Sequence, residues 1–470
     1  MKKLEKLEPK RVFYYFEKLC SIPHGSGNTK AISDYCVDVA RSLNLDVTQD
    51  KMNNVIIRKG ATKGKENKPI VVLQGHLDMV CEKTADSCID FLKDGLDIYI
   101  EDGFIKARGT TLGGDDGIAV AMALAILEAK DIEHPALEVL FTVDEETGMY
   151  GAEALDGSLI NGRTFINIDC EEEGVFTVSC AGGIGAEITL PFETAVNCKP
   201  CYKITADGLM GGHSGVDIDK GRINSNKLIA KLLNNLENFN LVSINGGLKA
   251  NAIPTLTEAV IATNEDLQVF LKDFEENNKV PTDNNLKIST VPVEIQKKAM
   301  TDASTKKVIA FLNEIPNGII SMSKDIEGLV ETSLNLGILK TNEDRLYLNF
   351  ALRSSVNNDK YKLLDTLKEY SKKYGAELVS DGDYPAWEYR KDSPLRDTMC
   401  RVYKEMYKKE PEVVAIHAGL ECGLLSKKLA GLDAVSIGPD MFDIHTPRER
   451  VSIDSTKRTY EFLLQLLKEI

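Results

Sequence analysis

No apolar run in the chain approaches the ~18 residues that a membrane-crossing helix needs. The longest, GIAVAMALAIL from Gly117 to Leu127, suits a buried core helix instead. The opening segment, MKKLEKLEPKRVF, has basic residues but no apolar stretch behind them, so no signal peptide is expected. Positive charge is also scarce: 57 Lys and Arg face 72 Asp and Glu, a net charge of −15. That argues against nucleic acid and anionic membrane as main partners, because both need basic patches. Cysteine occurs ten times, scattered rather than framed. Free thiols of that kind fit a reducing compartment, and a cytoplasmic protein is expected. The lone Cys198-Lys199-Pro200-Cys201 has no second pair at zinc-ribbon spacing and no βαβ pattern around it, so it reads as ordinary structure. Internal repeats and low-complexity tracts are also absent.

What is present is the material of a large globular protein. The composition is 43% hydrophobic and 27% charged. The 470 residues exceed what one core usually needs. Helical periodicity over 8–20 and 29–43 alternates with apolar runs at 53–59, 70–74, 137–143 and 164–168. Ser26 or Asn28 is placed to cap the second helix. Continuous apolar runs are expected of strands buried on both faces. From about residue 186 the strands turn amphipathic, as in GAEITLPF, CYKITADGL and RLYLNFALRSS, with helices near 226–238 and 361–374. Residues 265–285 read as an exposed helix and loop. The stretch SDGDYPAWEYRKDSP reads as loop, and helix and strand signals resume after it.

Chemistry concentrates at the ends of the apolar runs. His76 and Asp78 close PIVVLQGHLDMV, Asp115 and Asp116 follow the glycines of TTLGGDDG, and Glu145 and Glu146 follow LEVLFTVD. Asp169 ends TFINID, and His445 lies in GPDMFDIHTP. Each has an ordinary reading. An H-x-D pair can be a strand-end hydrogen bond, Asp115 a helix N-cap, Asp169 a solvated acid and His445 a surface histidine. The acids after LEVLFTV are harder to dismiss, since three in a row at a buried strand end call for a cation. Together the positions fit a two-metal hydrolase with metals roughly 3.5–4 Å apart. His76 would bind metal while Asp78 fixes its tautomer. One glutamate of the Glu145–Glu146 pair would bind metal, and the other would face the water as a general base.

In order along the chain, HLDMV, TLGGDDG, TVDEETG, NIDCEE, GGHSG, NAIP, HAGLECG and DIHTP resemble the dizinc exopeptidases that include carnosinases, aminoacylases and succinyl-diaminopimelate desuccinylase. The likeness runs from about residue 10 to the C-terminus, and DEETG with HAGLECG resembles a dipeptide-cleaving branch. The resemblance implies an α/β fold: a discontinuous catalytic domain (1–185 and 385–470) with a central, mostly parallel sheet, and an inserted α+β lid or dimerisation domain (186–384). It implies two divalent ions per subunit, zinc or else manganese or cobalt. His76 and Asp169 would hold one ion and Glu146 and His445 the other, with Asp115 bridging. Glu145 would be the catalytic base and acid, and Asp78 would orient His76. The family is usually dimeric, and His213 would reach a neighbouring site. Asn251, Arg353 and Gly419 match substrate contacts, the arginine suiting a terminal carboxylate. His417 is a further candidate for the pocket. The family often has Asn where this chain has Asp116. His213-Ser214 lacks the context of a serine nucleophile, and His24 and His134 read as structural. The expected activity is hydrolysis of small peptides, either Xaa-His or broad-specificity dipeptides. The alternatives are an N-acyl amino acid deacylase and a non-catalytic metal-binding protein on the same scaffold.

Overall fold

The computed structural model describes residues 3–470. The chain divides into two compact units. The first runs through Ser179 and resumes over Tyr389–Ala415 and Glu421–Ile470. The second comprises Cys180–Glu388 and Ile416–Leu420, so it starts earlier than residue 186 and takes in a short piece of the HAGLECG segment. Among the described residues no helix is long and apolar enough to cross a membrane.

The first unit is built on an eight-stranded sheet. At its centre Leu137–Thr142, Val71–His76, Thr164–Asn167 and Asp433–Ser436 lie side by side and parallel. Val55–Lys59 and Asp46–Gln49 extend one edge antiparallel, and Val175–Cys180 and Glu412–Ile416 form the other. Every residue of Val71–His76 and Leu137–Thr142 is buried, as continuous apolar runs require. The helix Gly114–Glu128 is buried from Gly114 to Leu127. Its sequence has no polar stripe, so it belongs inside the unit rather than on its surface. Its C-terminal carbonyls have no basic residue on their own last turn. Lys59 supplies the cation from a neighbouring strand, donating to Ile126 O (2.9 Å) and Ala129 O (2.7 Å).

The helix Lys30–Ser42 starts at Thr29 and has no side-chain cap. Neither Ser26 nor Asn28 caps it, because Ser26 Oγ donates instead to Asp78 Oδ2 at 2.8 Å.

The second unit carries a nine-stranded antiparallel sheet. Arg345–Ser354 shows its logic: Leu346, Leu348, Phe350 and Leu352 alternate into the core while the residues between them stay partly exposed. Helices Ser225–Asn234, Asp302–Glu314 and Asn357–Tyr374 place Leu232, Phe311 and Leu367 in the same core. The segment expected to be loop near Ser380 is a strand, Glu377–Tyr384, paired antiparallel with Gly182–Pro191. It is an edge strand with mostly exposed side chains. Backbone pairing holds it, so no apolar alternation was needed to form it. In the stretch 265–285 the helix is Gln268–Asn278, and Leu271, Phe274 and Asp283 are buried rather than solvated. Asp283 accepts the N–H groups of Met210 and Ile223, each at 2.6 Å.

Leu348 is fully buried. Leu348→Ala is expected to destabilise the second unit by about 2–5 kcal/mol. Urea unfolding followed by fluorescence of Trp387, the one tryptophan of the chain, would show a lowered midpoint.

Candidate metal centre

The acids and histidines of the first unit meet outside the carboxyl ends of the parallel strands, where open α/β sheets place their ligands. His76 is the last residue of its strand, Asp169 lies two residues beyond Thr164–Asn167, and Glu145 and Glu146 follow Leu137–Thr142. Asp115 sits in the first turn of Gly114–Glu128. His445 rides the turn between Met441–Phe442 and Arg450–Ser452, with a left-handed φ of 58°.

The two oxygens of Asp115 face different histidines. Oδ1 is 3.0 Å from His76 Nε2, and Oδ2 is 3.1 Å from His445 Nε2. Asp169 Oδ1 lies 3.4 Å from the same His76 nitrogen, and Glu146 Oε1 lies 3.0 Å from that of His445. One carboxylate thus joins two donor clusters, each with its own histidine and its own second acid. Donor atoms of Asp115, Glu146 and His445 all lie within 4.8 Å of one another, as do those of His76, Glu145 and Glu146. Nitrogen and oxygen donors of this kind suit zinc, manganese or cobalt.

Asp78 ties the centre together, though not chiefly through its side chain to the ring. His76 Nδ1 donates to the main-chain carbonyl of Asp78 at 3.0 Å, and the Asp78 carboxylate is farther, at 3.6 Å. That bond fixes the tautomer and leaves Nε2 free toward the acids. The carboxylate is occupied elsewhere, accepting the N–H groups of Glu145 (3.1 Å) and Glu146 (3.4 Å) and the Ser26 hydroxyl. It therefore holds the glutamate turn against the histidine strand.

Collecting buried acids has electrostatic consequences. Burial, then Asp169 and Asp115, hold the Asp116 carboxyl well above its usual range. Asp116 Oδ2 accepts the His76 N–H at 3.1 Å while Oδ1 has no partner. Burial lifts Glu145 well above the carboxylate range, and repulsion from Asp169, Glu421 and Glu146 works against the attraction of His76. Burial likewise pushes Asp169 up to about 6 despite His76. Asp115 moves the other way, because hydrogen bonds from His445 and His76 overcome burial. Its hydrogen bonds to Asp115 and Glu146 raise His445 to about 10. Burial opposes the charge on His76, yet Asp169, Asp115 and Asp78 carry it well above the ordinary histidine value. Positive charge on the imidazoles offsets only part of the acids' charge, and the same donor set fits two divalent ions.

Sequence reasoning missed the layer beneath. Gln74 Nε2 donates to Glu421 Oε2 (2.7 Å) and Thr142 Oγ1 (3.1 Å), and Thr142 Oγ1 donates to the same Glu421 oxygen at 2.6 Å. Asn167 Nδ2 donates to Gln74 Oε1 at 2.6 Å, and Ser436 Oγ donates to Asn167 Oδ1. The one available signal was a polar residue inside each apolar run, two positions before His76 and two before Asp169. Burial, helped by Asp169 and Asp78, pushes the Glu421 carboxyl up to about 7 against the Thr142 hydrogen bond and His76. His24 and His134 are buried, with Nδ1 bonded to the carbonyls of Ile22 and Pro135.

The second unit gathers the remaining candidates. His213 Nδ1 accepts the N–H groups of Gly215 (3.2 Å) and Val216 (3.3 Å), and its Nε2 lies 3.4 Å from Arg353 Nη2. Arg353 Nη1 donates to the Tyr384 hydroxyl at 2.9 Å, while its buried Nε has no partner. A Cβ on Gly419 would come within 2.8 Å of the Tyr384 ring. His417 Nε2 pairs with Ser333 Oγ at 2.7 Å, and burial with nearby Arg353 lowers it to about 4. Asn251 is exposed, and its carbonyl accepts the Ser214 N–H at 2.9 Å. Tyr384, invisible in a segment read as loop, is the addition here.

A buried histidine–carboxylate centre at the carboxyl ends of a parallel sheet is the mark of a metal-dependent hydrolase. The chain belongs to peptidase family M20/M25/M40, whose model matches residues 72–469, and it is a metallopeptidase. The cytosol non-specific dipeptidase of Escherichia coli (strain K12) is 38% identical over 482 aligned residues, covering 100% of this chain and 99% of that one. The solved aminoacylhistidine dipeptidase of Vibrio alginolyticus is 36% identical with a TM-score of 0.95, covering 100% of this chain and 98% of that one. Aminopeptidase PepT of Bacillus cereus shares the fold at 16% identity and a TM-score of 0.60, over 98% of this chain and 99% of that one.

The raised histidines set a pH dependence. His445, raised to about 10, holds a proton at pH 7 in the metal-free centre and would have to lose it from Nε2 to bind a cation, and the rise in His76 works in the same direction. Zinc uptake at pH 7 is therefore expected to release protons, at least one per chain, and affinity should rise with pH until His445 is neutral, near 10. Calorimetry in buffers of different ionisation enthalpy measures this. Heats that do not change with buffer would contradict it.

Proposed function

We propose that the chain is a dipeptidase that binds two divalent ions, zinc or else manganese or cobalt. His76 and Asp169 would hold one ion and Glu146 and His445 the other, with Asp115 shared between the two sets. The observation that carries this reading is the division of the Asp115 oxygens between His76 Nε2 and His445 Nε2, at 3.0 and 3.1 Å. The names of the two full-length relatives support the substrate class. One suggests broad dipeptide specificity and a cytosolic setting, the other Xaa-His.

Bound ions would supply Lewis acidity and a water that ionises near neutral pH. Glu145 takes the proton of the attacking water and returns it to the leaving amine. Its turn is held by the Asp78 carboxylate, and its raised affinity for a proton suits that carrier role. Asp78 keeps His76 in the tautomer that presents Nε2. In the second unit Arg353 has a buried, unpartnered Nε and no acidic residue paired with it among the described residues, which suits capture of a terminal carboxylate. His213 is the donor proposed for the developing oxyanion. Asn251, Gly419 and His417 complete the substrate contacts. Resemblance to the family supports a homodimer in which His213 of each subunit serves its neighbour's centre.

Glu145→Gln is expected to lower kcat by about 10²–10⁴ with zinc content unchanged. Chelation should abolish activity on a dipeptide panel, and zinc should restore it. Activity indifferent to both chelator and Glu145→Gln would refute the reading, and turnover of N-acyl amino acids but not dipeptides would reassign the substrate. Arg353→Met should raise KM for dipeptides by about tenfold or more, from the loss of a charge-assisted pair. C-terminally amidated dipeptides should show little change.

A further inference from the structure

Glu449 lies four residues after His445, on the segment leading into Arg450–Ser452, and is 3% exposed. Its carboxylate receives four successive main-chain N–H groups. Oε2 accepts from Leu112 (2.6 Å) and Gly113 (3.1 Å), and Oε1 accepts from Gly114 (2.7 Å) and Asp115 (3.4 Å). These amides open the helix Gly114–Glu128, whose own N-cap, Gly113, offers no side chain. First-turn N–H groups have no partner within a helix, and the helix dipole favours an anion there. Among the described residues no lysine or arginine pairs with Glu449, so amides alone meet its charge. The fit is close: a Cβ on Gly114 would approach Glu449 Oε1 to 3.2 Å and Val451 Cγ2 to 2.2 Å.

A remote cap would be ordinary if it came from anywhere else. This one comes from the turn that carries His445. The helix start and that turn are therefore joined twice, by the amide–carboxylate bonds and by the approach of His445 Nε2 to Asp115 Oδ2. Apart from the shared Asp115, the other cluster is held without the turn. His76 and Asp169 extend from strands whose register is set by pairing of Val71–Gln74 with Thr164–Asn167. Glu146, which shares the cluster of His445, is held from the strand side through Asp78. Of the acids and histidines, His445 is the exposed one, with 45% of its side chain open to solvent, so sheet packing contributes least to its placement.

We infer that Glu449 is a positioning residue that fixes the separation of Asp115 and His445, and thereby sets the affinity of one cation position, that of Asp115, Glu146 and His445, apart from the other. The inference rests on the ligand set proposed above. Glu449→Gln leaves one acceptor oxygen and turns an NH₂ donor toward N–H groups.

The test is zinc titration of the metal-free protein against a chromophoric chelator, with circular dichroism confirming the fold. The wild-type chain should bind two zinc ions. In Glu449→Gln the tighter step should stay within about threefold and the weaker step should fall by about 10–100-fold. His445→Ala should remove the same step. Ser393→Ala removes the N-cap of the helix Pro394–Tyr407 and a hydroxyl bond to Asp433, neither of which touches the acids and histidines, and should leave both steps intact. If Glu449→Gln melts below the assay temperature, Glu449→Asp, which keeps the charge with a shorter reach, should show the same selective loss. Equal weakening of both steps, no weakening, or an equal loss in Ser393→Ala would overturn the inference while leaving the ligand set standing. A wild-type chain that binds fewer than two ions, or a His445→Ala variant that still binds two, would overturn the ligand set and the inference together.

Discussion

Carboxylates repel one another, and this fold brings Asp115, Asp116, Glu145, Glu146 and Asp169 into one largely buried region. Everything around the centre can be understood as a means of tolerating that repulsion. His76 and His445 each take a share of Asp115, so the most crowded acid is also the most stabilised one. Asp116 and Glu145 carry the excess as raised proton affinity. A pair of divalent ions would relieve the same strain more completely than protons, because each brings two charges to positions already lined with donors. The centre is thus a poor arrangement for stability alone and a coherent one for binding cations.

Such a cluster needs a stiff frame, and the sheet provides it in two layers. The layer of acids and histidines stands at strand ends, a helix start and one turn. Beneath it Gln74, Thr142, Asn167, Ser436 and Glu421 form a continuous buried chain of hydrogen bonds across the four parallel strands. A one-residue slip of any strand would turn these side chains to the opposite face and leave buried polar groups unpaired. The hidden layer therefore specifies register, and register sets the spacing of the acids and histidines above it.

The legibility of the sequence followed from how local each signal was. Val71–His76 and Leu137–Thr142 are buried on both faces, so their apolar runs were plain and the acids at their ends stood out. Gly114–Glu128 was readable because burial on all sides leaves no polar stripe. Glu377–Tyr384 was not, since an edge strand is held by main-chain bonds and its side chains carry no pattern. Ser26 reads as a helix cap until the fold brings Asp78 beside it. Glu449 gave no signal at all: its four partners lie more than three hundred residues earlier, and one glutamate among many on a charged turn looks ordinary. Local chemistry could be read; the pairing of distant polar groups needed the fold.

The strand Asp433–Ser436 is not at the margin of its sheet. It lies between Thr164–Asn167 and Val175–Cys180, two strands made far earlier in the chain. At about 5–20 residues per second, a ribosome needs roughly a quarter of a minute to a minute to travel from one side of that gap to the strand that fills it. Until then the sheet of the nascent chain has an open slot, and the turn bearing His445 and Glu449 has not been synthesised. The cluster of acids and histidines cannot be complete before that turn has left the ribosome. An enzyme that cuts peptides therefore stays incomplete while most of the residues that frame its candidate centre are already made.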